Sequence, residues 1–183
     1  MRLGLYGGTF DPIHNGHLHV VQELISRKIV DHLLIIPAGQ PRLRENRPLA
    51  SGAQRRTMCQ LAVNELPVEI KKHVEVNPIE VLREGPSYTI DTVEAVAQTY
   101  EGDTIVLIVG TDAYEKIDEW NRVDELKKLV EFVVIDRPNF PGSHNTEIDA
   151  IAVTATDIRA EKSDAVPATV AAFIKENNLY ASK

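Results

Sequence analysis

Short apolar runs recur along this chain, each stopped by glycine or proline and followed by a stretch with helical spacing. Arg2–Tyr6 runs straight into Gly7-Gly8, His32–Ile36 is stopped by Pro37, Thr104–Val109 by Gly110, and Phe132–Ile135 shortly afterwards by Pro138. Runs that are apolar throughout, rather than alternating, suit strands buried on both faces. The stretches between them repeat apolar residues at helical intervals. Leu18, Val21, Leu24 and Ile25 follow a helix start near Gly16, and Met58, Leu61 and Ala62 lie in a helix capped by Ser51 that runs to about Glu65. Ile90, Val93, Val96 and Ala97 fall within a helix over Ser87–Tyr100, and Ala113–Ile117, Val123–Val130 and Ala168–Asn177 also read as helical. Val74–Val76 and Ala150–Val153 read as two more short strands. Strands alternating with helices predict an α/β chain: a Rossmann-like, doubly wound parallel sheet covered on both faces. With 183 residues and no internal repeat, low-complexity tract or linker, residues 1–183 read as a single domain.

Composition narrows the class. The chain is 43% hydrophobic and 26% charged, which excludes disordered, collagen-like and coiled-coil sequences. Cys59 is the one cysteine, so no internal disulfide or cysteine zinc site can form, and a reducing, cytoplasmic location is expected. Gly7 and Gly8 come too early for a signal peptide, and no apolar run approaches membrane-spanning length. A net charge of −7 argues against general nucleic-acid binding. The exception is local. Five arginines (Arg42, Arg44, Arg47, Arg55, Arg56) face one acid, Glu45, between residues 42 and 56, which reads either as an anion-binding patch or as a solvated loop and helix face.

In doubly wound sheets ligands bind beyond the carboxyl ends of the strands, so the turn after the first strand is the place to look. It reads Gly7-Gly8-Thr9-Phe10-Asp11-Pro12-Ile13-His14-Asn15-Gly16-His17. Glycines allow close backbone approach, and a helix start offers unpaired N–H groups and the positive end of its dipole to an anion. His14 and His17 sit three apart, so within one helical turn they share a face, and two imidazole donors beside such amides suit a polyphosphate. The string is neither a P-loop, since no Gly-Lys-Ser/Thr follows, nor a dinucleotide GxGxxG. Asp11 and His19 are the only nearby residues that could complete a metal site, and no metal ligand is assigned.

This string resembles the signature of the HxGH nucleotidyltransferases. Val153-Thr154-Ala155-Thr156-Asp157-Ile158-Arg159 resembles the same family's ISSTxxR element. Gly85-Pro86-Ser87-Tyr88-Thr89, Gly110-Thr111-Asp112, Trp120, Phe132-Val133-Val134 with Arg137-Pro138, and Asn178-Leu179-Tyr180 are similar to the bacterial nicotinate-nucleotide adenylyltransferase branch. The resemblance spans essentially the whole chain. It implies adenylyl transfer from ATP to nicotinate mononucleotide, giving deamido-NAD and pyrophosphate in NAD biosynthesis, with Mg²⁺ carried in by ATP. ATP and the mononucleotide are the implied partners, and the sequence is compatible with a monomer or a homo-oligomer.

The resemblance also implies roles. His14, His17 and Arg159 become the catalytic candidates. Gly8, Thr9, Phe10, Gly110, Asp112, Thr154 and Thr156 join them around ATP. Thr9, Arg44, Ser87, Tyr88, Thr89, Trp120 and Arg137 fall to the mononucleotide. Other readings stand beside these. His14 could be a solvated loop imidazole, and Thr154 and Thr156 could be helix caps, with or without a ligand. Asp112 could cap the next helix, Trp120 could be a buried anchor, and Tyr88 and Tyr114 could be packing residues. Arg137 could end its strand by pairing with an acid. Relatives carry a proline-histidine-lysine run where this chain has Pro41-Arg42-Leu43-Arg44, so Arg44 stands in place of the lysine as a phosphate clamp. Adenylation of nicotinamide mononucleotide or phosphopantetheine, or nucleotide binding without turnover, are the rival functions. A tRNA synthetase fragment does not suit the short chain, its acidity or its lack of a KMSKS element.

Overall fold

The structure is a computed structural model that describes residues 1–39, 47–138 and 140–181. Its centre is one five-stranded sheet, entirely parallel, in the order β3-β2-β1-β4-β5. The strands are β1 (Arg2–Gly8), β2 (His32–Pro37), β3 (Val74–Val76), β4 (Thr104–Gly110) and β5 (Glu131–Ile135). Each buries successive side chains on opposite faces, which is why the runs are apolar without a break. Leu3, Leu5, Leu34, Ile36, Leu107, Val109 and Val134 point to one face, and Tyr6, Leu33, Ile35, Val106, Ile108, Val133 and Ile135 to the other.

Helices cover both faces. On the Tyr6 side lie α1 (Asn15–Ser26), α2 (Gly52–Asn64), the short α3 (Val68–Lys71) and, after the later helices, α8 (Ala168–Glu176). On the Leu5 side lie α4 (Thr89–Thr99), through Ile90, Val93 and Val96, and α6 (Val123–Leu129), through Leu126. Two short elements complete the set: α5 (Thr111–Tyr114), followed by a 3₁₀ turn over Ile117–Glu119, and α7 (Ala155–Arg159). Ser51 caps α2 as its sequence implies, accepting from Gln54 N–H while the Gln54 side chain accepts from Ser51 N–H. Cys59 is buried in this helix as core.

The chain builds outward from β1 to β2 and β3, then returns to add β4 and β5 on the other side of β1. That reversal opens a crevice beyond the carboxyl ends of β1 and β4, where ligands of such folds bind.

Several expectations need correction. β1 continues through Gly7 and Gly8, which pair with Ile36 and Pro37, so the glycines close the strand from inside it. The helix expected from Ser87 begins at Thr89, and that expected over Ala113–Ile117 splits into α5 and the 3₁₀ turn. Ala150–Val153 is not a strand. Asp136, just past β5, takes the place of a sixth strand: its carboxylate accepts from Ile148 N–H at 2.7 Å and Ala150 N–H at 3.0 Å. The patch also divides. Arg42 and Arg44 lie outside the described residues, Arg47 and Arg56 are exposed, and Arg55 is buried.

Burial alone would raise the Asp136 pKa, but the two amides outweigh it and hold the carboxyl below its ordinary value. A carboxylate depressed in this way stabilises the fold above its unfolded pKa of about 3.9 and loses that contribution as pH falls through the lower folded value. Asp136→Ala should therefore cost about 2–3 kcal/mol in urea unfolding at pH 7. The gap between wild type and variant should narrow below about pH 4.

Candidate active site

The crevice is a cavity of about 820 Å³ at the carboxyl edge of the sheet. Fifteen residues singled out from the sequence line it: Gly8, Thr9, Phe10, His14, His17, Ser87, Tyr88, Thr89, Gly110, Asp112, Trp120, Arg137, Thr154, Thr156 and Arg159. Arg44 is outside the described residues.

The loop after β1 forms the floor. A side chain at position 8 could not be accommodated, because its Cβ would lie 2.8 Å from the ring of Phe10. Phe10 has a left-handed backbone, φ 50°, and folds back into the core. Its ring meets His17 edge-on at 4.9 Å and Tyr6 at 5.7 Å. Phe10 thus backs the histidines with its side chain, leaving its main chain to the cavity.

His14 is the N-cap of α1, and its N–H donates to His17 Nδ1 at 3.2 Å. The accepting Nδ1 puts the proton of neutral His17 on Nε2, the nitrogen through which that ring can donate. The two rings stack at 3.6 Å. His14 is 6% exposed, which removes the solvated-loop reading, and its Nδ1 is buried without a hydrogen-bond partner. Burial, with the charge of Arg137 as a second cause, lowers its pKa to about 4. At pH 7 His14 is neutral, and cationic charge along the cavity comes from arginines.

Two of these arginines have visible anchors. Arg137 Nε lies 3.8 Å from Asp112 Oδ1, so the acid-pairing reading holds while the residue also lines the cavity. Asp112 does not cap α5, whose N-cap is Gly110; a Cβ on that glycine would sit 2.6 Å from Asp112 Oδ1. Arg159, at the end of α7, donates from one Nη to Asp11 O at 2.6 Å and from the other to Thr156 Oγ1 at 3.2 Å. Thr154 is the N-cap of α7. Its hydroxyl accepts from Asp157 N–H and donates to the Asp157 carboxylate at 2.6 Å.

The opposite wall is Ser87-Tyr88-Thr89 with Trp120. Tyr88 and Trp120 both pack on the α4-side core and both reach the cavity, so the anchoring and lining readings hold together. Tyr114 packs in the same cluster, edge-on to Phe132. Ser87 Oγ is buried without a partner.

Sequence reasoning missed the supports. Arg55, 2% exposed, donates to Thr9 O at 2.7 Å and to Gly39 O at 3.3 Å, tying together the loops after β1 and β2. Charge counting had placed it with an anion patch. Glu80 lines the cavity and accepts from Thr92 Oγ1 at 2.9 Å, and burial raises its pKa. No local pattern marks either role, because the partners are remote in sequence.

The cytidylyltransferase-like family pattern matches residues 5–161. A probable nicotinate-nucleotide adenylyltransferase of Shouchella clausii is 35% identical, over 98% of this chain and 96% of its own. The nicotinate-nucleotide adenylyltransferase of Bacillus subtilis is 32% identical over 99% of both. The chain belongs to this family. The Plasmodium falciparum nicotinic acid mononucleotide adenylyltransferase, solved in complex with NaAD, shares the fold at a TM-score of 0.81 with 17% identity, covering 98% of this chain and 97% of that one. In family terms, His14 and His17 are the two histidines of the HxGH element, and α7 carries the second motif to the same cavity.

Two outcomes follow from the buried His14. Between about pH 6.5 and pH 4 the unfolded chain takes up a proton that folded His14 refuses, so stability falls with pH across that window, by about 3 kcal/mol from this group. Arg137→Gln should raise the His14 pKa toward its ordinary value, read by NMR titration of the ring.

Proposed function

We propose that this protein transfers the adenylyl group of ATP to nicotinate mononucleotide, forming deamido-NAD and releasing pyrophosphate. Full-length similarity to nicotinate-nucleotide adenylyltransferases carries the proposal. The convergence of both motif regions on one cavity supports it. No helix among the described residues is long and apolar enough to cross a membrane, and a single buried cysteine suits a cytoplasmic enzyme. The catalytic unit we propose is one domain over residues 1–183.

The mononucleotide phosphate, with a second pKa of about 6, is largely dianionic near neutrality and is itself the nucleophile. One of its oxygens attacks the α-phosphorus of ATP, the bond to the bridging oxygen breaks, and pyrophosphate leaves. No protein nucleophile or general base is needed, so the protein positions the reactants and stabilises charge. His17, through Nε2–H, and Arg159 hold the phosphates where negative charge develops. Neutral His14 supports His17 by stacking and by its backbone hydrogen bond. Amides of Gly8, Thr9 and Phe10 face the nucleotides, with Gly110 and Asp112 toward the ribose of ATP and Thr154 and Thr156 completing the phosphate end.

Ser87, Tyr88, Thr89 and Trp120 receive the nicotinate ring and carboxylate, and Ser87 Oγ, buried without a partner, has a hydrogen bond to give. Thr9, Arg137 and Arg44 serve the mononucleotide phosphate and ribose. Mg²⁺ enters as part of the MgATP substrate, held by phosphate oxygens and water. Among the described residues no group of three or more His, Cys, Asp or Glu side chains could hold a metal ion.

Pyrophosphate release should be measured with MgATP and, in turn, nicotinate mononucleotide, nicotinamide mononucleotide and phosphopantetheine. Turnover is expected with the first. His17→Ala should lower kcat by about 10²–10³-fold, the typical cost of one well-placed charge-stabilising donor. Turnover with another acceptor alone, or with none, overturns the proposal.

A further inference from the structure

We infer that Tyr180, through the buried carboxylate of Asp11, is a positioning residue that aims Arg159 and the loop after β1 at the phosphates of ATP. This inference rests on the adenylyl-transfer function proposed above.

Asp11 is 5% exposed, and both of its side-chain oxygens are committed. Oδ2 accepts from Leu49 N–H at 2.8 Å; Oδ1 accepts from Ala50 N–H at 3.1 Å and from the Tyr180 hydroxyl at 2.7 Å. The carbonyl of the same residue accepts from Arg159 at 2.6 Å. One residue thus joins the cavity floor, the approach to α2, the C-terminal segment and the arginine of α7. Arg159 gives one bond to this carbonyl and one to Thr156 Oγ1, and a guanidinium carries five N–H donors. The remaining donors keep one direction only while the Asp11 carbonyl holds still, and the side chain of Asp11 is what holds it.

The segment that delivers the phenol is itself forced. After α8, Asn178 at φ 50° makes an ordinary left-handed helix exit. Tyr180 repeats that conformation at φ 64°, which is unfavourable for a bulky residue and persists only where surrounding contacts dictate it. Leu179 and Tyr180 both pack on the Tyr6-side core, and the hydroxyl ends on Asp11. A charge-assisted bond from a phenol to a buried carboxylate cannot be replaced there by bulk water.

Tyr180→Phe removes the hydroxyl and keeps the ring. Thr169→Val is the control. Thr169 fastens α8 to Glu65 of the loop after α2, so its loss loosens the same helix without touching Asp11. ATP affinity is measured by calorimetry with MgATP alone, turnover with varied ATP and varied nicotinate mononucleotide, and folding by thermal unfolding.

Tyr180→Phe should raise the Kd for ATP, and lower kcat/KM for ATP, by about fivefold, as expected for one charge-assisted hydrogen bond. Binding of nicotinate mononucleotide should stay within twofold of wild type. Thr169→Val should lower the unfolding temperature with ATP affinity intact. Unchanged ATP affinity in Tyr180→Phe, or an equal loss for both substrates or in both variants, overturns the inference. A wild type that binds ATP but turns over no mononucleotide instead overturns the proposed function, and the calorimetric comparison still decides the role of Tyr180.

Discussion

The site depends on two buried charges of opposite sign beneath the loop after β1. Arg55 satisfies the carbonyls of Thr9 and Gly39, and Asp11 gathers the amides of Leu49 and Ala50 with the hydroxyl of Tyr180. Each alone would carry a heavy desolvation cost. Here each is hydrogen-bonded, and each spends its bonds on backbone that a glycine-rich loop could not hold by packing. The loop must leave its amides toward the cavity, so it has few side chains with which to fix itself from above. It is fixed from below.

The fold was legible in the sequence where a single physical requirement dominates. A strand buried on both faces has to be apolar at every position, and Thr104–Val109 admits no other reading. Ser51 and Gln54 likewise announce a helix start, because the cap is made within four residues. The failed strand at Ala150–Val153 shows where local pattern stops being informative. Those residues are apolar enough for a strand, but whether they join a sheet depends on an open edge beside β5, and the Asp136 carboxylate claims the amides of Ile148 and Ala150 first.

The site divides in the same way. Residues that offer chemistry to a ligand stood out because they cluster in two short strings, and the fold brings both strings to one cavity. Residues that hold the site were hidden, because their partners lie far along the chain: Arg55 acts 46 residues from Thr9, and Tyr180 acts 169 residues from Asp11. Charge counting even inverted the meaning of Arg55, grouping it with exposed neighbours. Burial separates an arginine that binds an anion from one that braces a backbone, and burial is a property of the fold.

The electrostatics of the cavity then make sense for a chain of net charge −7. Long-range attraction for a polyphosphate is weak on such a surface, so recognition falls to short-range donors in fixed positions. A neutral His14 suits that arrangement. Were it protonated, it would sit against the charge of Arg137 and stack a cation on His17 at 3.6 Å. Kept neutral by burial, it leaves positive charge to Arg137 and Arg159, whose guanidiniums are aimed by Asp112, the Asp11 carbonyl and Thr156. An acidic protein can hold ATP in this way by the direction of its donors, and the buried network under the loop is what gives them direction.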